Sequence, residues 1–396
     1  MKILMVSEDL PGRQVGGLGK HVVTLANALL AHGHQVDILG RSDGGASDIG
    51  FHGRCIAGLS LPHPGWKELQ LGFFNPLKRP WFARRIAAAI MEHGQGYDAV
   101  HYHGHLPMVG LHLHPALNFI QTRHDQGSEC LTHLRFRAGQ VCSTLIAKDC
   151  SGCIAEHAGP LRQALTAVAV RHYRAESAHA ARLQKTVFVS EFLRRQFQRA
   201  LPQADLSRCR VIHNFIDYPS LRAQAGVPAP GQVVMAGRID VGKGFSEFLA
   251  AAAGRLPAGV HISVIGDGPL RASLEARHAG PAVRFAGWQP YPALVAATAR
   301  SHLCVVPSVC EEACSTTVLE ALALGKPCIA LARGGTPELA AYQQYDGQLL
   351  LGADMDELVA LVLRQAALAP VARVLPREFG ADAQCVLARL LELYAE

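Results

Sequence analysis

Glu312 and Glu320 stand eight positions apart, separated by Ala-Cys-Ser-Thr-Thr-Val-Leu. Ser315, Thr316 and Thr317 open an apolar run, Val-Leu-Glu-Ala-Leu-Ala-Leu, whose spacing predicts a helix. A helix start presents unpaired backbone N–H groups and the positive end of the macrodipole, which together make a seat for phosphate. Glu312, still in the loop, would lie beside whatever the phosphate carries. Glu320, one turn into the helix, reaches a second hydroxylated group. A loop acid, an anion-binding helix start and a helical acid suit a sugar joined to a nucleoside through a diphosphate. The plainer alternative is an amphipathic helix with two surface acids.

The residues flanking this pair sharpen the choice. Glu312–Glu320, followed by Ala321, Gly325, Pro327 and Gly334-Gly335-Thr336-Pro337-Glu338, resembles the E-x7-E motif of the family 4 retaining glycosyltransferases, which have the GT-B fold. Gly237-Arg238-Ile239-Asp240-Val241-Gly242-Lys243-Gly244 also matches most of a Walker A loop, but Gly244 stands where Ser or Thr must hold magnesium. The segment is similar instead to the G-R-x-x-x-x-K-G motif of that family. The resemblance implies that Arg238 and Lys243 contact the donor diphosphate, with Gly237 beside them. Two fixed cations there stabilise charge that grows on the β-phosphate as the sugar leaves. Gly16-Gly17-Leu18-Gly19-Lys20-His21 resembles the family's G-G-x-x-x-H-V element, in which Gly16 and Gly17 allow close backbone approach. The alternatives are a solvated basic loop and a surface turn.

His101-Tyr102-His103-Gly104-His105 and Thr122-Arg123-His124-Asp125 each end a predicted strand. Ligand sites of open α/β sheets lie just beyond strand carboxyl ends, so these histidines are placed to face a cleft. The resemblance implies that His124 orients the acceptor or the sugar hydroxyls, with His103 and His105 as acceptor-side candidates. Each of the three also reads as an ordinary structural histidine. Ile265-Gly266-Asp267-Gly268-Pro269 and Gly287-Trp288 follow further strands, near where the family holds its nucleotide.

Cys130, Cys142, Cys150 and Cys153 form a C-x11-C-x7-C-x2-C series. Four thiols can hold a structural zinc ion; unliganded buried or surface thiols are the plainer reading. Asp354-Met355-Asp356 spells D-x-D, but it precedes an apolar helical run, so an acid there reads as a helix N-cap and not as a metal ligand. Asn75–Ile90 sets Lys78, Arg79, Arg84 and Arg85 around Trp81 and Phe82, which suits either an anionic membrane surface or an ordinary amphipathic helix.

These residues need elements to hold them. Strand, glycine loop, helix, strand occurs twice, from Lys2 and again from Gln232, and predicts two Rossmann-like doubly wound α/β domains facing a central cleft. The chain has 396 residues, 49% hydrophobic and 18% charged, enough for two or three cores. The expected division is an acceptor-side domain over 1–213 and a nucleotide-sugar domain over 214–376. The resemblance implies that a last helix, 377–396, returns to the first domain. It is densest over Val233–Glu338, lighter over Met1–Leu39 and thinnest over Gly40–Arg210. The net charge of +6 is mild and comes with no nucleic-acid motif, so nucleic acid is not an expected partner. No apolar run is long enough to span a bilayer, and the start reads as a strand and not as a signal peptide. A cytoplasmic protein, free or peripheral at the inner membrane face, is the expectation, and eleven cysteines there are mostly small buried hydrophobes.

The resemblance implies a retaining, metal-independent transferase that needs no cofactor. Its co-substrate is a nucleotide-diphosphate sugar. The acceptor is a glycan, a lipid-linked group or a small molecule, in cell-surface polysaccharide or glycoconjugate synthesis. Ser315–Thr317 help Arg238 and Lys243 at the diphosphate, Glu312 holds sugar hydroxyls and Glu320 the ribose. Ala313-Cys314 depart from the family, which often has Gly or Pro and then an aromatic, and this leaves the donor sugar open. The rivals are a sugar-nucleotide epimerase on the same fold and a silent sugar-nucleotide-binding protein.

Overall fold

The computed structural model describes residues 1–10, 17–42, 49–60, 78–154 and 159–396. Contacts divide the chain into a first unit (residues 1–137, 142–214 and 386–396) and a second (138–141 and 215–385).

The first unit is built on a parallel sheet. Its strands are β1 (Lys2–Val6), β2 (Gln35–Arg41), β3 (Arg54–Leu59), β4 (Ala99–His103), β5 (Phe119–Arg123), β6 (Lys185–Phe188) and β7 (Cys209–Val211). They lie side by side as β3-β2-β1-β4-β5-β6-β7. Ile3 to Val6 and the whole of β4 and β5 are buried, as a sheet covered on both faces requires. Helices α1 (Gly17–Ala31), α2 (Arg79–His93), α3 (Ala147–Ile154), α4 (Pro160–Leu183) and α5 (Glu191–Ala200) accompany them. Helix α1 buries Val22, Leu25, Ala26 and Leu29. Ser190 caps α5 by accepting from the Leu193 N–H at 3.1 Å.

The second unit repeats the plan. Strands β8 (Gln232–Ala236), β9 (His261–Ile265), β10 (Val283–Gly287), β11 (Leu303–Val306), β12 (Cys328–Leu331) and β13 (Leu349–Gly352) are all parallel, ordered β10-β9-β8-β11-β12-β13. Counted within the unit this is 3-2-1-4-5-6, the doubly wound order whose chain reversal lies between the first and fourth strands. Helices α6 (Phe245–Ala252), α7 (Tyr291–Arg300), α8 (Thr316–Ala323) and α9 (Met355–Ala366) connect or cover them. Helix α8 buries Val318, Leu319, Ala321, Leu322 and Ala323.

The final helix, α10 (Ala383–Ala395), gives its residues from Val386 onward to the first unit. Lys185 Nζ donates to the Leu393 carbonyl at 2.9 Å, and Asn118 Nδ2 donates to the Tyr394 carbonyl at 2.7 Å. Tyr394 Oη meets His101 Nδ1 at 2.6 Å.

One expectation changes. Arg79 and Phe82 do not join a basic-aromatic surface on α2; both are buried. Arg79 donates to the Gly127 carbonyl at 2.7 Å and packs over the Tyr173 ring, while Lys78, Trp81, Arg84 and Arg85 stay exposed. Residues 75–77 of that stretch lie outside the described residues. Asp354 is a helix cap, accepting from the Glu357 N–H at 2.9 Å at the start of α9, and Asp356 pairs with Arg255 at 3.4 Å on the surface. Among the described residues no helix is long and apolar enough to cross a membrane.

Candidate active site

In the second unit the expected residues gather at the carboxyl ends of β8 and β11. Gly237 ends the edge of β8, its N–H bonded to the Ile265 carbonyl at 3.0 Å. The chain then makes a short 3-10 turn over Val241–Lys243 and enters α6 through Gly244. Gly244 has φ +68, and a Cβ there would lie 1.9 Å from the Pro307 carbonyl oxygen. Only glycine fits a left-handed position in such contact. That contact sets Lys243 against the loop after β11. Across this loop Gly334, φ +60, would place a Cβ 2.4 Å from the Glu312 carbonyl oxygen, which also accepts from the Gly335 N–H at 2.8 Å. Glu312 is thus fixed from its backbone side.

Lys243 Nζ donates to Glu312 Oε1 at 2.9 Å, and Ser308 Oγ donates to the same oxygen. Burial alone would raise the Glu312 carboxyl; the Lys243 charge and bonds from Ser308, Lys243 and Ser315 overcome it and hold the group below its ordinary range. Lys243 is the mirror case: burial pushes it down, and the Glu312 carboxylate outweighs that and raises it. Both are charged at neutral pH. An ammonium has three donors, so Lys243 can keep Glu312 and still reach a phosphate oxygen.

Ser315 holds the N-cap position of α8 but makes no side-chain cap bond; its hydroxyl serves Glu312. The first-turn N–H groups of Thr316 and Thr317 are therefore not capped by it, which keeps this helix start suited to an anion. Glu320, one turn on, accepts from Tyr291 Oη at 3.1 Å. Arg238 is paired with Asp240, Nε to Oδ2 at 2.6 Å, while its side chain stays 65% exposed. The charge of Asp240 also reaches Lys243. Lys243, Glu312 and Ser315 are thus brought into direct contact. Arg238 joins them through Asp240, and Glu320 is held from α7. The sequence reading gave no role to Ser308, Asp240 or Tyr291, and it quoted Gly334 only within Gly-Gly-Thr-Pro-Glu.

In the first unit the candidate histidines lie at the ends of β4 and β5. Gly17 opens α1; Gly16 lies outside the described residues. His21 turns inward from α1 to sit edge-on to His124, ring centroids 4.6 Å apart. His103 Nδ1 meets His124 Nε2 at 3.1 Å, and His124 is bonded by Asn214. His101 lies below, with Nε2 2.7 Å from Thr122 Oγ1. Burial leads in pushing His101 down to about 3 and His124 to about 4, and it takes His21 and His103 well below the usual value. His124 is therefore a neutral hydrogen-bonding group at pH 7 and not a cation.

His105 belongs to a separate group. Its Nδ1 lies 3.0 Å from Asp125 Oδ2, which also takes His133 Nδ1 at 3.1 Å. Arg79 donates to His133 Nε2 at 3.1 Å, which fixes the His133 proton on Nδ1. Glu8 accepts from the Tyr102 hydroxyl and from the His105 N–H at 3.1 Å; burial pushes its carboxyl up to about 7. His21/His103/His124 and His105/Asp125/His133 are the two sets whose ligand atoms lie within 4.8 Å of one another among the described residues.

The description "Glycosyltransferase Family 4" matches residues 15–218, and "Glycosyl transferases group 1" matches residues 230–367. Glycogen synthase of Mycobacterium tuberculosis is 27% identical over 366 residues, spanning 85% of this chain and 80% of that one. Sucrose-phosphate synthase of Thermosynechococcus elongatus has 20% identity and a TM-score of 0.64, covering 100% of this chain and 95% of that one. Anabaena HepE, solved with UDP and glucose, has 17% identity and a TM-score of 0.58, covering 100% and 97%. One family description covers every strand of the first unit's sheet except β1, and the other covers the whole sheet of the second. This chain belongs to the family 4 glycosyltransferases and has the GT-B fold.

Proposed function

We propose that the enzyme transfers a sugar from a nucleoside diphosphate to an acceptor hydroxyl with retention at the anomeric carbon. The observation that carries this is the Lys243–Glu312 pair, 2.9 Å apart beside the uncapped start of α8. Lys243 and Arg238 take the diphosphate, with the N–H groups of Thr316 and Thr317. Glu312 takes sugar hydroxyls and Glu320 the ribose. The bond from the anomeric carbon to the phosphate oxygen breaks. The acceptor oxygen bonds to that carbon on the same face, and its proton passes to the leaving phosphate. Growing charge on that phosphate is what the two cations stabilise more in the transition state than in the ground state. No step calls on a metal. The UDP and glucose bound to HepE support a uridine diphosphate sugar as the first donor to try. In the first unit, neutral His124 orients the acceptor by hydrogen bonding. The acceptor is a glycan, lipid-linked or small-molecule hydroxyl, and cell-surface polysaccharide or glycoconjugate synthesis is the proposed setting.

A panel of nucleotide sugars, read first by thermal shift and then by turnover with acceptors, tests the proposal. Acceptor-dependent release of nucleotide with the anomeric configuration kept is the expected result. Lys243→Ala should cut turnover by about 10²-fold or more while the far-ultraviolet circular dichroism is unchanged. Turnover at the native rate in that variant sinks the diphosphate assignment. A new nucleotide sugar formed without acceptor would make the protein an epimerase, and tight binding without turnover a silent binder.

A further inference from the structure

Four cysteines follow β5 in the first unit and take no part in the site assigned above. Cys150 and Cys153 are one turn apart on α3, and Cys130 and Cys142 flank the loop before it. All four line a single cavity of about 30 Å³, walled also by Leu131 and Phe136, and none is in a disulfide. The loop between Cys130 and Cys142 holds the three non-glycine residues with positive φ among the described residues: His133 at 66°, Arg135 at 45° and Ala138 at 50°. Left-handed backbone at non-glycine residues is strained and persists only where the surroundings impose it. Here it folds the segment back, so that the Cys142 N–H bonds the Arg135 carbonyl at 2.6 Å. Arg174 of α4 anchors the same region. It donates to the Glu129 carbonyl at 3.0 and 2.8 Å, to the Leu145 carbonyl at 2.6 Å and to Cys150 Sγ at 3.1 Å.

We propose that Cys130, Cys142, Cys150 and Cys153 form a structural tetrathiolate site for one zinc ion. Four thiolates and no open position suit a closed tetrahedral zinc site, and soft sulfur ligands favour zinc over magnesium or calcium. No three of these sulfurs lie within 4.8 Å of one another, so the ion must close the loop onto α3. The loop reaches further: the His133 carbonyl accepts from the Gln126 N–H at 3.0 Å, and the His133 ring meets Asp125 at 3.1 Å. The ion would therefore hold in place the segment that braces Asp125, next to His124.

The test uses the full chain, purified under reducing conditions without chelator. Elemental analysis should find about one zinc per chain. Cobalt exchanged into the site should show intense sulfur-to-cobalt charge-transfer absorption. Cys150→Ser combined with Cys153→Ser should lose both signals, while Cys153→His keeps the metal. Should the double variant fail to fold, the metal content and cobalt spectrum of the native chain decide alone. A reduced chain that takes up no stoichiometric zinc overturns the proposal. So does iron in place of zinc, cobalt without thiolate absorption, or zinc that survives the double substitution.

Discussion

Glu312 and Lys243 are adjacent only in space, 69 positions apart in the chain. Each was visible in the sequence as part of its own motif; their ion pair was not, because pairing depends on which loops the two glycines bring together. Tyr291 was invisible for a plainer reason. A tyrosine after Gln-Pro carries no motif, and its hydroxyl matters only because α7 lies beside α8. Its bond to Glu320 gives a prediction at this scale. Tyr291→Phe leaves Glu320 less firmly oriented toward the ribose proposed as its partner, an interaction that would be made equally in ground and transition states. The loss of one such bond is about 0.5–1.5 kcal/mol, so the donor KM should rise roughly 2- to 12-fold with kcat unchanged. Initial-rate kinetics against donor concentration decide it; a fall in kcat at constant KM is the wrong outcome for a ribose contact.

Elements were the most legible level. Parallel strands buried on both faces must be short apolar runs, and β1, β4, β5, β6, β8, β9, β11 and β12 all announce themselves that way. The edge strand β3 did not, because Arg-Cys-Ile-Ala-Gly-Leu has Ile56 as its one β-branched residue and a glycine within it. Helices α3 and α4 fall where the resemblance is thinnest, and α4 has no sharp apolar stripe over its 24 residues. The turn from β8 into α6 offers an element-scale test. Gly244→Ala would force a Cβ to within 1.9 Å of the Pro307 carbonyl at φ +68, whereas Gly254, φ +70, has nothing within 4 Å. Gly254→Ala should cost only the left-handed strain, about 1 kcal/mol, and Gly244→Ala distinctly more. Urea midpoints of the two variants compare them directly. Equal losses would show that the Pro307 contact does not constrain the turn.

For the whole molecule, buried ionisable groups of the first unit set the response to acid. His101, His124, His21 and His103 are neutral in the folded chain and return to about 6.5 on unfolding, so stability is lost as pH falls below that value. Glu8 and Glu129, raised by burial to about 7 and about 8, oppose this, since from there down to about 4.5 the folded chain holds protons that the unfolded chain has released. Four imidazoles outweigh two carboxyls. Below about pH 6.5 unfolding should take up protons, each costing about 1.4 kcal/mol of stability per pH unit. Urea titrations between pH 7 and pH 5 check this, and a flat profile contradicts it. The sequence displayed His101, His103 and His124 at strand ends and His21 in a glycine motif, but not that burial keeps them neutral, because desolvation belongs to the packed unit. The attachment of α10 has its own implication for biogenesis. A nascent chain extended only to Asn214 contains every strand of the first sheet but lacks Tyr394 and Leu393, so His101 and Lys185 must wait for the second unit to be translated before they meet those partners.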